Sequence, residues 1–417
     1  MTVNRIRISN EAHDYFVKQH PNGDLLQLTK WAESKQLTGW YSKRIAVGRD
    51  NEVAGVGQLL FKPVPKLPFT LCYVSRGFVC DYNDKEVVNA LTSFAVEVAR
   101  AERAYAIKID PDVEVKSAGD LIEYMQSLGY RHKGFEDGLS KRYIQPRMTM
   151  ITDIDQEDEP LIQSFEKNNR SRVKLSQKKG TEAYIAGRED LKTFAALMKE
   201  TGERDGFLTR DVSYFENIYD ALHPDGDAEL FLVKLVPSHV MPKIQEEYNM
   251  LEAKKQKLEQ KKDQKKAQNQ LKDIALQQTK LSKQLTELKQ LNETHPEGKI
   301  LSGALLTFSG YKSYYLYGAS SNEYRDYLPN HNMQISMMRY ARSRGAKSYD
   351  FGGTDNNPPK GSEHFGLWQF KKAWGTRLSE KVGEFDYVLN QPVYQLIEQV
   401  KPRITRLKLK FTKGRKK

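Results

Sequence analysis

Three short stretches carry side chains that could do chemistry. Asp110, before Pro111, closes a run of alternating apolar residues, so it would stand at the end of a strand where a carboxylate can take a proton. Arg210 closes the polar run Arg-Asp-Gly-Phe-Leu-Thr-Arg, and an arginine fork suits an anion's oxygens. Phe370, Lys371 and Lys372 end an aromatic stretch that contains Trp368. Tyr214 follows Arg210 by four residues, and Tyr317 sits in Tyr-Leu-Tyr-Gly. Taken by themselves, all have ordinary uses: a turn residue, a surface ion pair, solvated lysines on a short helix, half-buried packing aromatics. Other chemistries lack their residues. There is no Walker-type phosphate loop and no HExxH pattern. Cys72 and Cys80 make neither a disulfide framework nor a zinc site, and read as half-buried strand residues in a reducing cytoplasm.

The elements that must position these residues read as two copies of one plan. In residues 44–61 apolar and polar residues alternate around Gly48-Arg49-Asp50-Asn51, which predicts a hairpin. A strand over 70–78, a helix over 85–103 and a strand over 104–110 follow. The second copy has a strand over 229–235, a hairpin over 300–317, a helix over 332–344 and a strand over 347–351, ending in Gly-Gly-Thr-Asp. Repeated hairpin, strand, helix, strand is the plan of a GNAT-type acyltransferase, and two such domains side by side leave a cleft. The expected fold class is therefore α/β (α+β). The expected domains are 1–148, then 149–240 and 297–400 as two parts of a second domain. Residues 241–296 would be an inserted antiparallel helical coiled coil, and 401–417 a basic tail. The GNAT pattern that cradles the pyrophosphate of acetyl-CoA has no convincing copy, which argues against that cofactor.

The 417 residues carry a net charge of +12, and it is unevenly placed. Residues 401–417 hold nine basic residues and no acidic one; residues 243–291 hold twelve lysines against seven carboxylates. Basicity gathered in an arm and a tail points to an anionic surface, nucleic acid or the inner leaflet of a membrane. In the arm, Ile244, Leu251 and Leu258 are spaced by seven. Ala267, Leu271, Ile274, Gln278, Leu281, Leu285 and Leu288 step by four and three. The apolar-free run 261–266 is the expected turn. No run nears the roughly 18 apolar residues of a membrane span, and residues 1–10 lack the apolar stretch of a signal peptide.

Seven segments in order resemble the Fem family of non-ribosomal peptidyl transferases. The first is His-Pro-Asn-Gly-Asp-Leu-Leu-Gln-Leu-Thr-Lys-Trp-Ala-Glu-Ser-Lys, ending at Lys35. Next come Lys-Ile-Asp-Pro-Asp, ending at Asp112, and Gly-Glu-Arg-Asp-Gly-Phe-Leu-Thr-Arg-Asp, ending at Asp211. Tyr-Leu-Tyr-Gly-Ala-Ser-Ser ends at Ser321, Phe-Gly-Gly-Thr-Asp at Asp355, Gly-Leu-Trp-Gln-Phe-Lys-Lys-Ala-Trp-Gly at Gly375, and Glu-Phe-Asp-Tyr-Val-Leu-Asn-Gln-Pro at Pro392. The resemblance spans essentially the whole chain. It implies a cytoplasmic enzyme, peripheral to the membrane, that moves glycine from glycyl-tRNA to a stem-peptide lysine of lipid II. It implies no cofactor and no metal, and other Fem proteins as candidate partners. It places Lys35 and Arg210 on the acceptor's diphosphate, Tyr214 and Tyr317 as further acceptor contacts, and Phe370 and Lys371 beside the transferred aminoacyl group. Asp110 resembles the family's candidate base.

The implied reaction is aminolysis of an ester that is already activated, so it needs no ATP. The attacking amine, with a pKa near 10.4, must shed a proton. Asp110 can take it, and so can the neighbouring ribose hydroxyl of the tRNA. Lys371 can stabilise the oxyanion, a role worth about 3 kcal/mol for one well-placed donor. Alanine or serine could replace glycine in such a reaction, and a tRNA-binding scaffold without catalysis is the alternative from another class.

Overall fold

The computed structural model describes residues 2–400 apart from 51, 137–138, 141 and 261–264, so the basic tail expected at 401–417 lies outside the described residues. Strong local signals set the first sheet. The hairpin Tyr41–Arg49 with Glu52–Pro63 is followed by the strand Thr70–Val74. Asp84 caps the helix Lys85–Ala101, its carboxylate accepting from the Val87 amide. That helix buries Val87, Val88, Leu91, Ala95 and Ala99 at the three-and-four spacing of one face. The strand Ala104–Ile109 then returns parallel to Thr70–Val74. The second sheet repeats this plan with the hairpin Lys299–Ser309 and Lys312–Ser320, the helix Pro329–Ser343, and the strand Ser348–Gly353 parallel to Lys312–Ser320.

The two sheets exchange strands. Met148–Asp153 leaves the first unit and lies in the second sheet, antiparallel to both Ser348–Gly353 and Arg377–Glu380. In return Phe385–Val388 lies in the first sheet, antiparallel to both Ala104–Ile109 and Tyr130–His132. The expectation that 297–400 belongs wholly to the second unit is therefore corrected at its end. The reason is packing: Val382 and Phe385 are fully buried in the first core. Asp386 pairs with the buried Lys108 at 3.2 Å, and Glu398 reaches the same ammonium at 3.2 Å.

A third apolar cluster joins the units. Leu25, Leu28 and Trp31 from the N-terminal helices meet Val56 and Val79 of the first sheet and Phe194, Phe215, Leu230 and Leu305 of the second unit. Within the expected arm, the helices Pro237–Glu259 and Lys265–Thr294 run antiparallel. Gln278 donates to Glu252 at 2.7 Å, and Val240 shares a cluster with Leu288 and Leu291. The first helix begins at Pro237, earlier than the compositional change near Pro242 implies. Cys72 and Cys80 are fully buried in strands rather than half-buried, and burial pushes both thiols above their usual range.

The exchanged strand should be a keystone of the first unit. Phe385→Ala should cost about 3–5 kcal/mol by loss of buried contacts, read as a lowered denaturant midpoint in equilibrium unfolding.

Candidate functional site

The short helix Thr29–Ser34 ends at Lys35, and the helix Val212–Leu222 begins under the cap of Asp211, which accepts from the Tyr214 amide at 3.1 Å. The two helices cross here: Asn217 bonds to the Ser34 carbonyl and Lys35 reaches Tyr214. That crossing brings four of the seven sequence-predicted residues together. The Lys35 ammonium lies 3.6 Å from the centre of the Trp31 ring and donates to the Tyr214 hydroxyl at 3.3 Å. The Arg210 guanidinium lies 5.1 Å from the centre of the Tyr214 ring. The hydroxyls of Tyr214 and Tyr317 are 2.9 Å apart, and the Tyr317 ring packs edge-on against Phe215 at 5.3 Å.

Burial lowers the Lys35 pKa, Tyr214 opposes that shift, and Arg210 adds to it. Burial likewise raises the Tyr317 phenol. Among the described residues, neither Lys35 nor Arg210 has a carboxylate within ion-pair distance. Two cations on an aromatic platform, one partly dehydrated and neither neutralised, are an arrangement that can act as a receptor for an anion.

Lys371 and Phe370 come from the helix Phe365–Lys372 beside the second sheet's parallel pair. That ladder stops at Tyr314 and Asp350, so the two strands part beyond it. At the parting Gly352 takes a φ of +77°, a left-handed conformation that favours glycine, and Asp350 accepts from its amide at 2.7 Å. Lys371 is buried and donates to the Gly353 carbonyl at 2.5 Å, while Lys372 stays exposed over Trp368. Burial pulls the Lys371 pKa down to about 8, with Asp350 opposing. Phe370 packs against Phe351 at 6.1 Å and Trp374 at 6.3 Å.

Asp110 is buried with both oxygens engaged. One accepts from the Tyr73 hydroxyl at 2.8 Å and the Arg76 amide at 3.0 Å; the other meets the Arg76 guanidinium at 3.4 Å. Burial pushes its carboxyl up to about 7, against the pull of Arg76 and Tyr73.

A cavity of about 740 Å³ lies between the units, lined by Asp24, Arg76, Asp112, Lys312, Gly352 and Lys381, among others. Lys35, Arg210, Tyr214 and Tyr317 do not line it; it meets the Lys371 region through Gly352 and Gly353. The anion receptor and this cavity are thus separate features joined by the strand Lys312–Ser320. That strand contributes Tyr314 to the cavity and Tyr317 to the receptor.

Sequence reasoning missed Trp31, although its spacing of four from Lys35 on a helix is a readable signal. It also missed Asp112, which accepts from Lys312 at 2.7 Å and Lys381 at 2.5 Å. No local signal announces that pairing.

Two sheets built on one plan with exchanged strands, a pair of cations without carboxylate partners among the described residues and a dehydrated lysine beside a cleft suit an acyl-transfer protein. The chain belongs to the FemAB family, whose model matches residues 8–402. The lipid II:glycine glycyltransferase of Staphylococcus aureus strain USA300 is 64% identical over 420 residues, covering all of both chains. The protein of the same name from the bovine strain RF122 / ET3-1 is 63% identical over the same span. The crystal structure of FemX matches with a TM-score of 0.85 at 64% identity, over 95% of this chain and all of that one.

The receptor's dehydrated cation should be held at a cost to the fold. Lys35→Met should leave thermal stability unchanged or raise it, by up to about 1 kcal/mol, while weakening binding of a diphosphate ligand. A melting curve and a titration of the same variant check both halves.

Proposed function

We propose that this protein transfers glycine from glycyl-tRNA to the ε-amino group of the stem-peptide lysine of lipid II, adding the first residue of an interpeptide bridge. The observation that carries this reading is the pair of unneutralised cations, Lys35 and Arg210, on the Trp31–Tyr214 platform. It suits the diphosphate of a lipid-linked acceptor, and the full-length relatives bear the name lipid II:glycine glycyltransferase. Arg210 grips phosphate oxygens as a fork, Lys35 adds a point charge, and the Tyr214 and Tyr317 hydroxyls fix orientation.

At the reacting end, the neutral lysine amine attacks the ester carbonyl, an amide C–N bond forms, and the ester C–O bond breaks. The ribose oxygen leaves with a proton. The Lys371 ammonium, aimed at the parting of the two strands, stabilises the oxyanion, and Phe370 packs beside the aminoacyl group. Asp110 is already engaged by Tyr73 and Arg76 and is not among the residues that line the cavity. That favours the tRNA ribose hydroxyl as the proton acceptor, with Asp110 holding Arg76 at the cavity wall. The lysines of the two long helices offer a surface for the tRNA, with binding that weakens as salt rises. Peripheral contact with the inner leaflet and association with other Fem family proteins belong to the same reading.

The test is transfer of labelled glycine from glycyl-tRNA to lysine-containing lipid II, with alanyl- and seryl-tRNA as alternatives. Product from glycyl-tRNA alone supports the proposal. Product from alanyl- or seryl-tRNA instead changes the donor, and tRNA binding without product replaces the enzyme with a scaffold. Arg210→Ala should lower kcat/KM for lipid II about tenfold or more, chiefly through KM, since a charged hydrogen bond is worth about 1.5–3 kcal/mol.

The Lys371 role has a pH signature. Its ammonium is present below about 8 and lost above it, so kcat should fall as pH rises through about 8. Lys371→Arg keeps the charge and should move that alkaline fall up beyond pH 10, whereas Lys371→Met should lower kcat about a hundredfold. An alkaline limb unchanged in the arginine variant would remove Lys371 from the role.

A further inference from the structure

Each cation of the receptor stands two residues from an exposed leucine. Leu37 follows Lys35 and is 74% exposed; Leu208 precedes Arg210 and is 99% exposed. Both are held out by ordered backbone. Leu37 sits in the tight turn Gln36–Thr38, closed by the Thr38 amide on the Lys35 carbonyl at 3.0 Å and by Gly39 at a φ of +79°. Gly206, at a φ of +76°, ends the helix Leu191–Asp205, and the amides of Gly206 and Phe207 both return to the Gly202 carbonyl. That fold-back presents Leu208 to solvent, with Phe207 45% exposed beside it. Lys35 and Arg210 both lie 5.1 Å from the centre of the Tyr214 ring, so Leu37 and Leu208 each stand two residues from one shared site.

Two nearby cations are already paired with carboxylates. Lys30 pairs with Glu33 at 2.9 Å, and Arg204 with Asp205 at 2.9 Å. Lys35 and Arg210 remain for an external anion. Two bare leucines flanking two cations at the depth of a diphosphate match a bilayer interface, with apolar tips among acyl chains and cations at the phosphate layer.

We infer that Leu37 and Leu208 are membrane-inserting tips, which seat the Lys35–Arg210 receptor on the bilayer surface so that it takes its diphosphate acceptor directly from the membrane. This rests on the reading of the acceptor as a lipid-linked diphosphate. It adds an apolar contact to the basic one expected of the tail, and the two differ in salt response. Screening weakens a polybasic attraction but leaves apolar insertion in place.

The experiment compares the full-length protein with the double variant Leu37→Ser, Leu208→Ser. Both positions are exposed, so folding should be unaffected. Flotation with phosphatidylcholine vesicles in about 0.5 M salt silences the tail; the double variant should bind about tenfold more weakly than the parent. Glycine transfer is then measured on lipid II in vesicles and on a water-soluble analogue with a short prenyl chain. The variant should lose about tenfold in kcat/KM on vesicles and keep the parental rate on the analogue. As a site-specific reading, Leu208→Trp should shift its fluorescence to the blue when vesicles are added. Equal vesicle binding and equal turnover of vesicle lipid II would overturn the inference while leaving the glycyltransferase reading intact. Failure of the parent to use either acceptor would instead remove that reading, and flotation and fluorescence would still decide whether the tips insert.

Discussion

One buried carboxylate ties the two units together, and the geometry of the cleft depends on it. Asp112, just past the end of a first-sheet strand, accepts from Lys312 and Lys381, both from the second unit. Burying a charge costs several kcal/mol unless it is closely paired, so these three groups are satisfied together only while the units keep one register. Lys312 and Lys381 hold the Asp112 carboxyl well below the usual carboxylate range despite its burial. Lys312 also donates to the Gly23 carbonyl at 2.8 Å, and Tyr314, two residues along, donates to Asp24 at 3.0 Å. The N-terminal segment that ends in Lys35 is thereby pinned to the strand that carries Tyr317.

The strand exchange enforces the same constraint covalently. Each sheet is completed by a segment that follows the other unit in the chain, so neither sheet is whole without both. Sliding one unit on the other would strain the connections as well as the Asp112 cluster. A site assembled across the junction, with Lys35 on one side and Arg210 and Tyr317 on the other, needs such a junction. An ångström of drift would pull the two cations out of a common site.

The sequence made the local part of this legible. Hairpins, the capped helix Lys85–Ala101 and the parallel strands follow from periodicity and turn residues within some twenty positions of one another. The exchange was not legible: Phe385–Val388 is four residues long, and its partners lie roughly 250 to 280 positions away. Nor were the buried lysines. A lysine is ordinarily solvated, and nothing local distinguishes Lys108, Lys371 or Lys381, or the half-buried Lys312, from the many exposed ones. The four receptor residues came from resemblance to a family, because Lys35 and Arg210 stand 175 positions apart and only the fold makes them neighbours.

The buried and half-buried cations themselves divide in a way that carries function. Lys108 meets Glu384, Asp386 and Glu398, and Lys312 and Lys381 share Asp112. These are neutralised, and their place in the architecture accounts for them. Lys35 has a phenol and two aromatic faces, Lys371 has one backbone carbonyl with Asp350 farther off, and neither has a carboxylate within ion-pair distance among the described residues. In both, burial depresses the pKa, so the fold pays to keep them there. A dehydrated cation without a counter-charge is retained where something else supplies negative charge. For Lys35 that would be a phosphate held throughout binding, and for Lys371 an oxygen that becomes anionic only during reaction. The first needs a strong, open receptor beside Arg210. The second needs a closed, lightly bonded ammonium whose pKa lies close to working pH, and the two surroundings differ in that sense.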